Sequence, residues 1–260
     1  MFTTIETSIS DDVFTVWLNR PEVHNAFNPA MLEELAECFR DLSSVDAICV
    51  ILRGKGKSFC AGADLTWMRN VASNTYEVNY QESLLLSKCF FSIYTCSKPT
   101  IAMIHGASLG GANGLVASCD LAYCTDESTF SLSEVKIGIV PACISPYVVK
   151  RVGEYGTRDL MLTGRRIKGK EAEAFHLVNK SVPADQMETI VQEVIHHFRT
   201  SGPAAMAHGK KLIYEVSNNL SLKEAYDFTA RMIADIRASE EGQEGINAFL
   251  EKRKPKWVKE

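Results

Sequence analysis

The spacing of apolar residues changes along the chain between the period of a strand and the period of a helix. "TTIETSIS" and "VFTVWLNR" predict two strands joined by a turn at Asp11–Asp12. "NPAMLEELAECFRDL" predicts a helix, with Asn28 as its N-cap and Pro29 in its first turn. "AICVILRG" and "PTIAMIHG" are short apolar runs, and we expect both to be buried strands. Strands that alternate with helices favour an α/β core.

The middle of the chain continues this alternation and then becomes helical. Residues 75–95 predict a long helix whose second half is mostly apolar, and "LAYCT" and "STFSLSEV" predict short strands. After about residue 145 the pattern predicts three short helical segments, "SPYVVKRVG", "YGTRDLMLTG" and "GKEAEAFHLV". Four amphipathic helices are predicted beyond them, over 186–200, 203–216, 221–238 and 242–252.

These patterns divide the chain near residue 200. We expect an α/β core over 1–200 and a helical region over 201–260. Helices that lie outside a core must bury their apolar faces elsewhere. The helical region is therefore expected to form an interface between subunits.

Composition narrows the classes of partner. The chain has 260 residues, of which 46% are hydrophobic and 23% charged, and its formal net charge is −4. This balance does not favour binding to nucleic acid or to an anionic membrane. No apolar run has the length of a membrane span, and "MFTTIETSISDD" lacks the basic start and apolar core of a secretory signal. We therefore expect a cytoplasmic protein.

The eight cysteines form no C-x-x-C pair, and most lie in apolar segments. Buried thiols in a reducing compartment are expected. A zinc site needs clustered Cys and His ligands, so the sequence predicts no metal site.

The stretch "SLGGANGLVASCD", residues 108–120, is a glycine-rich turn that leads into an apolar helix. Such a turn favours negative charge, because backbone N–H groups point out of the helix start. It lacks the Lys and Ser/Thr of a P-loop and the G-x-G-x-x-G spacing of a dinucleotide fold. We therefore expect its N–H groups to face an oxyanion, together with a second donor from elsewhere.

A second loop of the same kind can supply that donor. "GKGKSFCAGADLTWM", residues 54–68, also follows a buried strand, and Asp64 is placed to cap the helix that follows. If the two strands are neighbours in one sheet, both helix entries meet at one edge of that sheet.

Four motifs, in order and spacing, resemble the enoyl-CoA hydratase/isomerase (crotonase) superfamily. They are "HNAFN" at 24–28, "SFCAGADL" at 58–65, "HGASLGGANGL" at 105–115 and "SEVKIGIVP" at 133–141. "GINAFLEKRKPKW" resembles the family's C-terminal helix, so the resemblance covers nearly the whole chain. Within the family, "SEVKIGIVPACISPYVVKRVG" and "EGQEGINAFLEKRKPKW" look most like bacterial methylglutaconyl-CoA hydratases.

The resemblance implies a spiral of ββα units followed by a helical trimerisation region, in a homotrimer or a hexamer that is a dimer of trimers. It implies an acyl-CoA thioester as substrate, with coenzyme A as part of that substrate and no separate cofactor. The family binds the thioester carbonyl between two backbone N–H groups, which map to Ala63 and Gly111. One such donor is typically worth about 3–4 kcal/mol in the transition state. A glycine at 111 is expected to leave room for the approaching thioester.

The family's hydratases usually hold one water between two glutamates, and only one of them has a counterpart here. Glu134, in "LSEVKIG", matches one glutamate, but Gly114 stands where the other is expected. Glu134 alone either takes a proton from water and returns one to the α-carbon, or moves a proton between the α- and γ-carbons. The resemblance favours the first scheme, hydration of 3-methylglutaconyl-CoA to 3-hydroxy-3-methylglutaryl-CoA in leucine breakdown.

Other functions stay open at this point. They are double-bond isomerisation, hydration of another acyl-CoA, carbon–carbon cleavage, thioester hydrolysis, and non-catalytic binding of acyl-CoA or RNA. The basic segment "EKRKPKWVKE" is short and interspersed with acids, which is more typical of a solvated tail than of an RNA-binding face.

The resemblance also implies which residues meet the substrate. The predicted contacts with the CoA thioester are Val23, His24, Ala26, Ala61, Asp64, Leu65 and Gly110, and those at the adenine end, often from a neighbouring subunit, are Phe249 and Lys252. Glu22 stands where relatives often have a lysine near the phosphates, and the cations considered in its place are Arg20, Arg53, Lys55 and Lys57. A distal carboxylate needs a cation or hydrogen-bond donors, for which the candidates are Lys136, Arg69 and Lys88, with Ser145 and Tyr147 as pocket residues.

Overall fold

Two β-sheets and eleven α-helices form the described part of the chain, which is residues 2–40, 42–71 and 73–258 of the computed structural model. The strands are β1 (Ile5–Ser10), β2 (Val13–Leu18), β3 (Cys49–Gly54), β4 (Thr100–Ile104), β5 (Ala107–Leu109), β6 (Leu121–Thr125), β7 (Thr129–Ser131), β8 (Ile167–Lys168) and β9 (Lys180–Val182). The helices are α1 (Pro29–Arg40), α2 (Leu65–Val71), α3 (Tyr76–Tyr94), α4 (Ala112–Ser118), α5 (Ser145–Val152), α6 (Glu154–Thr163), α7 (Gly169–Ala174), α8 (Met187–Arg199), α9 (Pro203–Asn218), α10 (Leu222–Ala238) and α11 (Glu240–Leu250). Short 3-10 helices span Pro21–Val23, Ser133–Ile137 and Ala184–Gln186.

The larger sheet has the strand order β1-β2-β3-β4-β6-β9. β1 and β2 are antiparallel, and each later pair of neighbours is parallel. β5, β7 and β8 form the second sheet. The predicted α/β fold is therefore confirmed. Because β3 and β4 are parallel neighbours, the two glycine-rich segments that follow them begin at the same edge of the sheet.

Local chemistry marks where the first elements begin and end. The hairpin turns at Asp11 and Asp12, whose φ angles of 48° and 61° fit a two-residue turn with both residues left-handed. Asn28 Oδ1 accepts a hydrogen bond from the Met31 N–H at 3.0 Å. The predicted turn and the predicted N-cap of α1 are both confirmed.

The prediction of one strand over "STFSLSEV" is wrong in its second half. β7 ends at Ser131, and the 3-10 helix over Ser133–Ile137 follows it. That helix ends at Gly138, whose φ of 77° lies in the left-handed region that glycine adopts without strain. Glu134 therefore lies in a tight helical turn and not at the end of a strand.

Glu34, on α1, binds the start of the chain to the first helix. Its carboxylate accepts hydrogen bonds from the backbone and hydroxyl groups of Thr3 and Thr4 at 2.5 to 2.8 Å. Burial alone would raise the pKa of Glu34, but these hydrogen bonds, first of all from Thr4, lower it to about 2. The folded state therefore stabilises the ionised form.

Glu34→Gln is expected to destabilise the protein at pH 7 by about 1 kcal/mol, because solvent screens much of the interaction. Since folding lowers the pKa, the stabilisation is present above the ordinary value of 4.5 and is lost as the pH falls toward 2. Urea denaturation at pH 7 and at pH 3 measures the difference. Glu33→Gln, at an exposed neighbouring position, is the control, and equal stability of wild type and Glu34→Gln at pH 7 would contradict the prediction.

The C-terminal helices bury little of their apolar surface. α8 packs against the sheet through Met187, Val191 and Ile195, whereas every residue of α9 and α10 is at least partly exposed. Leu222 is 95% exposed and Tyr226 is 83% exposed. The division near residue 200 and the subunit interface stay predictions.

None of the helices in the described part of the chain combines the length and the apolar character that a membrane span needs.

Candidate active site

Two helix entries meet at the edge of the large sheet. The segments after β3 and β4 are joined by backbone hydrogen bonds, from Cys60 N–H to Ala107 O at 3.0 Å and from Leu109 N–H to Cys60 O at 3.1 Å. A Cβ on Gly62 would lie 2.6 Å from Leu109 O, and the φ of Gly62 is 91°. Glycine at this position lets the two segments approach so closely.

Ala63 and Gly111 each present a backbone N–H close to the start of a helix. Ala63 lies just before α2, and Gly111 is the N-cap of α4. Within the described residues, neither N–H has a hydrogen-bond partner. Both groups are only partly exposed, and an unpaired N–H in such a place is costly unless a ligand accepts from it. The two predicted donors are therefore free to bind an oxygen atom.

The need for glycine at position 111 comes from the packing beneath the loop. A Cβ on Gly111 would lie 2.7 Å from Phe27 Cζ. Phe27 is 2% exposed and packs edge-on against Trp67, with ring centroids 6.1 Å apart. The side chain that glycine avoids is therefore Phe27, whereas the sequence suggested the thioester.

Glu134 reaches the same place from its 3-10 helix. A Cβ on Gly110 would lie 3.3 Å from Glu134 Oε1, so the carboxyl group lies close over this glycine, whose φ is 53°. Glu134 Oε2 is buried and lacks a hydrogen-bond partner among the described residues. Burial raises the pKa of Glu134, and a hydrogen bond from its own backbone offsets this only in part. A carboxyl with a raised pKa and one oxygen free of hydrogen bonds is suited to take up and return a proton.

Ala63, Gly111 and Glu134 line one cavity of about 590 Å³. Its walls come from α2, from α3 and from the segment between Glu134 and α5, and most of the lining is apolar. The predicted donors and the predicted glutamate are therefore brought together in a space that suits an acyl group.

Position 114 has no room for a second carboxylate. Gly114 is buried in α4, where a Cβ would overlap the side chain of Ile144 and lie 2.8 Å from Phe90 Cζ. Ile144 and Phe90 both line the cavity. The departure from the family pattern is thus a repacked apolar wall, and Glu134 has no partner carboxylate at this position.

Comparison with known proteins identifies the family of this chain. Residues 8–260 match the family model described as enoyl-CoA hydratase/isomerase. A Thermus thermophilus protein provisionally named an enoyl-CoA hydratase is 35% identical, over 94% of this chain and 97% of its own. The chain belongs to the enoyl-CoA hydratase/isomerase family.

Other members of the family include a solved structure and an isomerase. The crystal structure of an enoyl-CoA hydratase from Shewanella pealeana has a TM-score of 0.92 and 35% identity, over 98% of this chain and 96% of that chain. The peroxisomal Δ3,5-Δ2,4-dienoyl-CoA isomerase of Arabidopsis thaliana is 29% identical, over 98% of this chain and 96% of its own. The crotonase-type fold is confirmed, and both reaction types occur among the relatives.

The segments that contact CoA in the family lie side by side here. The 23–27 segment meets the 60–65 segment where His24 O accepts a hydrogen bond from Ala61 N–H at 3.0 Å. The structure therefore brings together most of the predicted contacts, which are Val23, His24, Ala26, Ala61, Asp64, Leu65 and Gly110. Their contact with CoA itself stays a prediction.

Two of these residues are engaged within the protein. Asp64 accepts a hydrogen bond from Thr66 N–H at 2.8 Å, as the predicted cap of α2, and forms an ion pair with Arg20 at 2.8 Å. The Gly110 N–H donates to Ser131 O at 2.8 Å. The backbone of Asp64 is engaged as well, since its N–H donates to Phe27 O at 2.9 Å and its carbonyl accepts from Met68 N–H at 2.9 Å. The side chain of Asp64 and the N–H groups of Asp64 and Gly110 are therefore not free to bind CoA.

The ion pairs also reduce the choice of a phosphate-binding cation. Arg20 is held by Asp64, Arg53 pairs with Glu188 at 2.8 Å, and Lys55 pairs with Glu6. Lys57 is exposed and forms no ion pair with another described residue. Lys57 is therefore the remaining candidate for the CoA phosphates.

Three side chains are candidates to bind a distal carboxylate, and two more are predicted as pocket residues. The cavity is not lined by any of the five, which are Lys136, Arg69, Lys88, Ser145 and Tyr147. Ser145 Oγ instead donates to Ala142 O at 2.8 Å at the start of α5, and Tyr147 packs against Tyr94. The prediction that Ser145 and Tyr147 line the pocket is therefore wrong, and none of the three cations belongs to the lining. The polar lining residues Asn79, Glu82 and Ser83 were missed.

Phe249 and Lys252 are not brought to the cavity within one chain. Phe249 lies on α11 and is 82% exposed, and Lys252 follows that helix. Their predicted contact with the adenine of CoA therefore requires a neighbouring subunit and stays a prediction.

Among the described residues, no three metal-ligating side chains come together.

Glu134→Gln is expected to raise the thermal stability of the protein at neutral pH. Because burial raises the pKa of Glu134, its contribution to stability is present below the ordinary value and is lost as the pH rises through the raised one. A neutral Gln removes that loss, and each kcal/mol gained should raise Tm by about 2–4 °C. In thermal denaturation, the Tm of Glu134→Gln should exceed that of wild type by more at pH 8 than at pH 5. A difference in Tm that does not change with pH would contradict the prediction.

Proposed function

We propose that this protein hydrates a 2-enoyl-CoA thioester, with Glu134 as a single acid–base group. The proposal is supported by one cavity that combines two unpaired N–H groups with a carboxyl whose buried Oε2 has no hydrogen-bond partner among the described residues. Chemistry at the carbon next to a thioester passes through an enolate, whose oxygen gains charge and needs such donors. In a protein that only bound acyl-CoA, the unfavourable free energy of burying this carboxyl group would serve no reaction.

The steps follow from the positions of these groups. The thioester oxygen accepts hydrogen bonds from the N–H groups of Ala63 and Gly111, which polarises the conjugated double bond. Glu134 takes a proton from water, and the hydroxide that forms adds to the β-carbon. The electron pair of the double bond moves to the thioester oxygen, and Glu134 then returns its proton to the α-carbon. One water is added, and Glu134 ends in the protonation state in which it began.

For the acyl group we propose 3-methylglutaconyl, which would give 3-hydroxy-3-methylglutaryl-CoA. Its support is the resemblance of "SEVKIGIVPACISPYVVKRVG" and "EGQEGINAFLEKRKPKW" to hydratases of that thioester. The cavity adds a condition, because its lining within the described residues includes no Lys or Arg. A distal carboxyl would therefore be held by hydrogen-bonding groups and not by a cation.

Double-bond isomerisation is the second candidate, and the packing at Gly114 favours it. Ile144 and Phe90 fill the place where a second carboxylate would hold the water. Glu134 alone can move a proton between the α- and γ-carbons without any water. The dienoyl-CoA isomerase among the relatives shows that this sequence family includes such chemistry.

We also propose that the chain works as a homotrimer or a hexamer. The exposed apolar side chains of the C-terminal helices, such as Leu222, Tyr226 and Phe249, support an interface there. Light scattering should then give a mass of three or six times 28.8 kDa, and a monomer would contradict the proposal.

A panel of thioesters distinguishes the reactions. Crotonyl-, 3-methylcrotonyl-, 3-methylglutaconyl- and 3-enoyl-CoA are incubated with the protein and the products are read by mass spectrometry. A gain of one water by a 2-enoyl thioester, largest for 3-methylglutaconyl-CoA, supports the proposal. Conversion of the 3-enoyl thioester alone, with no change in mass, supports isomerisation instead. No product from any thioester would contradict both.

A further inference from the structure

Buried polar atoms without a partner are concentrated in the acyl cavity. Four such side-chain atoms occur within the described residues, and three belong to lining residues: Trp67 Nε1, Asn79 Oδ1 and Glu134 Oε2. Native proteins leave few such atoms, so a cluster of them calls for a ligand. Glu134 is accounted for by the proposed reaction, whereas Trp67 and Asn79 are not.

Trp67 and Asn79 lie on the two helices that wall the cavity, close to their junction. Asn79 Nδ2 is 3.4 Å from Val71 O, at the C-terminal end of α2. Trp67 is one turn before Val71 on α2, so the two face the same side of that helix. Trp67, Val71 and Asn79 all line the cavity. The unpaired indole N–H and the unpaired amide oxygen therefore belong to residues of one cavity, on two helices that meet at Val71.

The lining along α3 changes from apolar to polar toward this junction. Phe90 packs beside Gly114, and Leu86 and Glu82 follow at intervals of four residues on the same face. Asn79 lies about 16 Å from Phe90 along the helix axis, at 1.5 Å per residue. The polar end is therefore well separated from the wall that replaces the second glutamate.

Glu82 adds a further acceptor at the polar end. Its carboxylate receives one long hydrogen bond, from Asn74 Nδ2 at 3.4 Å. Ile139, Val140 and Pro141 also line the cavity, and their apolar side chains offer Glu82 no partner. One donor and two acceptors in the lining thus have capacity for further hydrogen bonds.

We infer that Trp67, Asn79 and Glu82 bind a polar group at the far end of the acyl chain. The inference rests on the proposed function and names its substrate class, a 2-enoyl-CoA that ends in a hydroxyl or in a carboxyl that keeps its proton. Such a group accepts from the indole N–H and donates to Asn79 Oδ1 or to Glu82. A methyl end leaves all three unpaired, and an ionised carboxylate faces Glu82 with no cation in the described lining.

The test compares kcat/KM for three matched 2-enoyl-CoAs that end in methyl, hydroxyl or carboxyl. Wild type is expected to prefer one of the polar ends over methyl by about tenfold or more. Trp67→Phe removes the N–H and keeps a ring against Phe27, and Asn79→Leu removes the acceptor. Each should lower kcat/KM for the preferred polar thioester about tenfold, with the methyl-ended one within about twofold. Trp17→Phe, on β2 and outside the cavity, is the matched control and should change neither.

The outcomes separate this inference from the proposed function. The hydroxyl and carboxyl arms show which of the two groups the site takes. A wild type that prefers the methyl end, or variants that lower kcat/KM for all three thioesters equally, would overturn the inference. Hydration of the methyl-ended thioester would leave the proposed reaction intact in either case. If no thioester is hydrated, the proposed reaction is overturned together with the inference.

Discussion

Replacing Glu134 with Gln is expected to lower kcat about a thousandfold, as for the loss of a general acid–base group. In the proposed reaction the carboxyl takes the proton from water and returns it to the α-carbon, and position 114 carries no second carboxylate to replace it. Binding of the thioester should stay within about threefold, because the N–H groups of Ala63 and Gly111 are unchanged. Steady-state kinetics on the best thioester of the panel and calorimetric titration with a saturated analogue measure the two effects.

Glu127→Gln is the matched control for this experiment. The Glu127 side chain is 91% exposed and lies outside the cavity, so its kcat should be that of wild type. A Glu134→Gln enzyme with wild-type kcat would remove Glu134 from the mechanism. A variant that lost thioester binding together with kcat would show a structural role for Glu134 and contradict the acid–base assignment.

Gly114→Ala is expected to destabilise the protein by about 2 kcal/mol through overpacking. The added Cβ would overlap Ile144 and lie 2.8 and 2.9 Å from two atoms of the Phe90 ring. Ile144 is 2% exposed and Phe90 is fully buried, so neither side chain can withdraw into solvent. The strain outweighs the gain of up to about 1 kcal/mol that Ala normally brings to a helix interior. Urea denaturation with an unchanged m-value measures the loss.

Gly209→Ala shows what the same substitution does without crowding. Gly209 lies in α9, and a Cβ there would have nothing within 4 Å. This variant should be stabilised by up to about 1 kcal/mol. If Gly114→Ala is as stable as Gly209→Ala, the side chains of Ile144 and Phe90 move aside at little cost in free energy. Position 114 would then have room for a larger side chain, contrary to what we expect.

Most of the α/β core could be predicted because local interactions decide where its strands and helices begin and end. The turn at Asp11–Asp12 and the cap at Asn28 depend only on their own residues and near neighbours. The 3-10 helix after β7 was missed because the alternation of Phe130 and Leu132 with polar residues continues past Ser131, where β7 ends. What ends the strand is the turn that closes at Gly138, beyond that pattern.

The reaction end of the candidate site was predictable and the acyl end was not. Ala63, Gly111 and Glu134 lie in motifs that resemble the family, and the structure brings all three to one cavity. Asn79 and Glu82 belong to an amphipathic helix, where polar residues usually face solvent. Whether they face the cavity depends on how α3 is rotated against α2, which is a tertiary contact. The only signal was their spacing from Leu86 and Phe90 on one helix face.

The central claim is that Glu134 and the two unpaired N–H groups form and stabilise an enolate. The most direct measurement is exchange of the α-protons of a saturated thioester, butyryl-CoA, in deuterium oxide, followed by mass spectrometry. The account predicts that the wild-type protein incorporates deuterium at the α-carbon and that Glu134→Gln does not exceed the uncatalysed rate. Exchange by Glu134→Gln at the wild-type rate, or none by wild type, would contradict it.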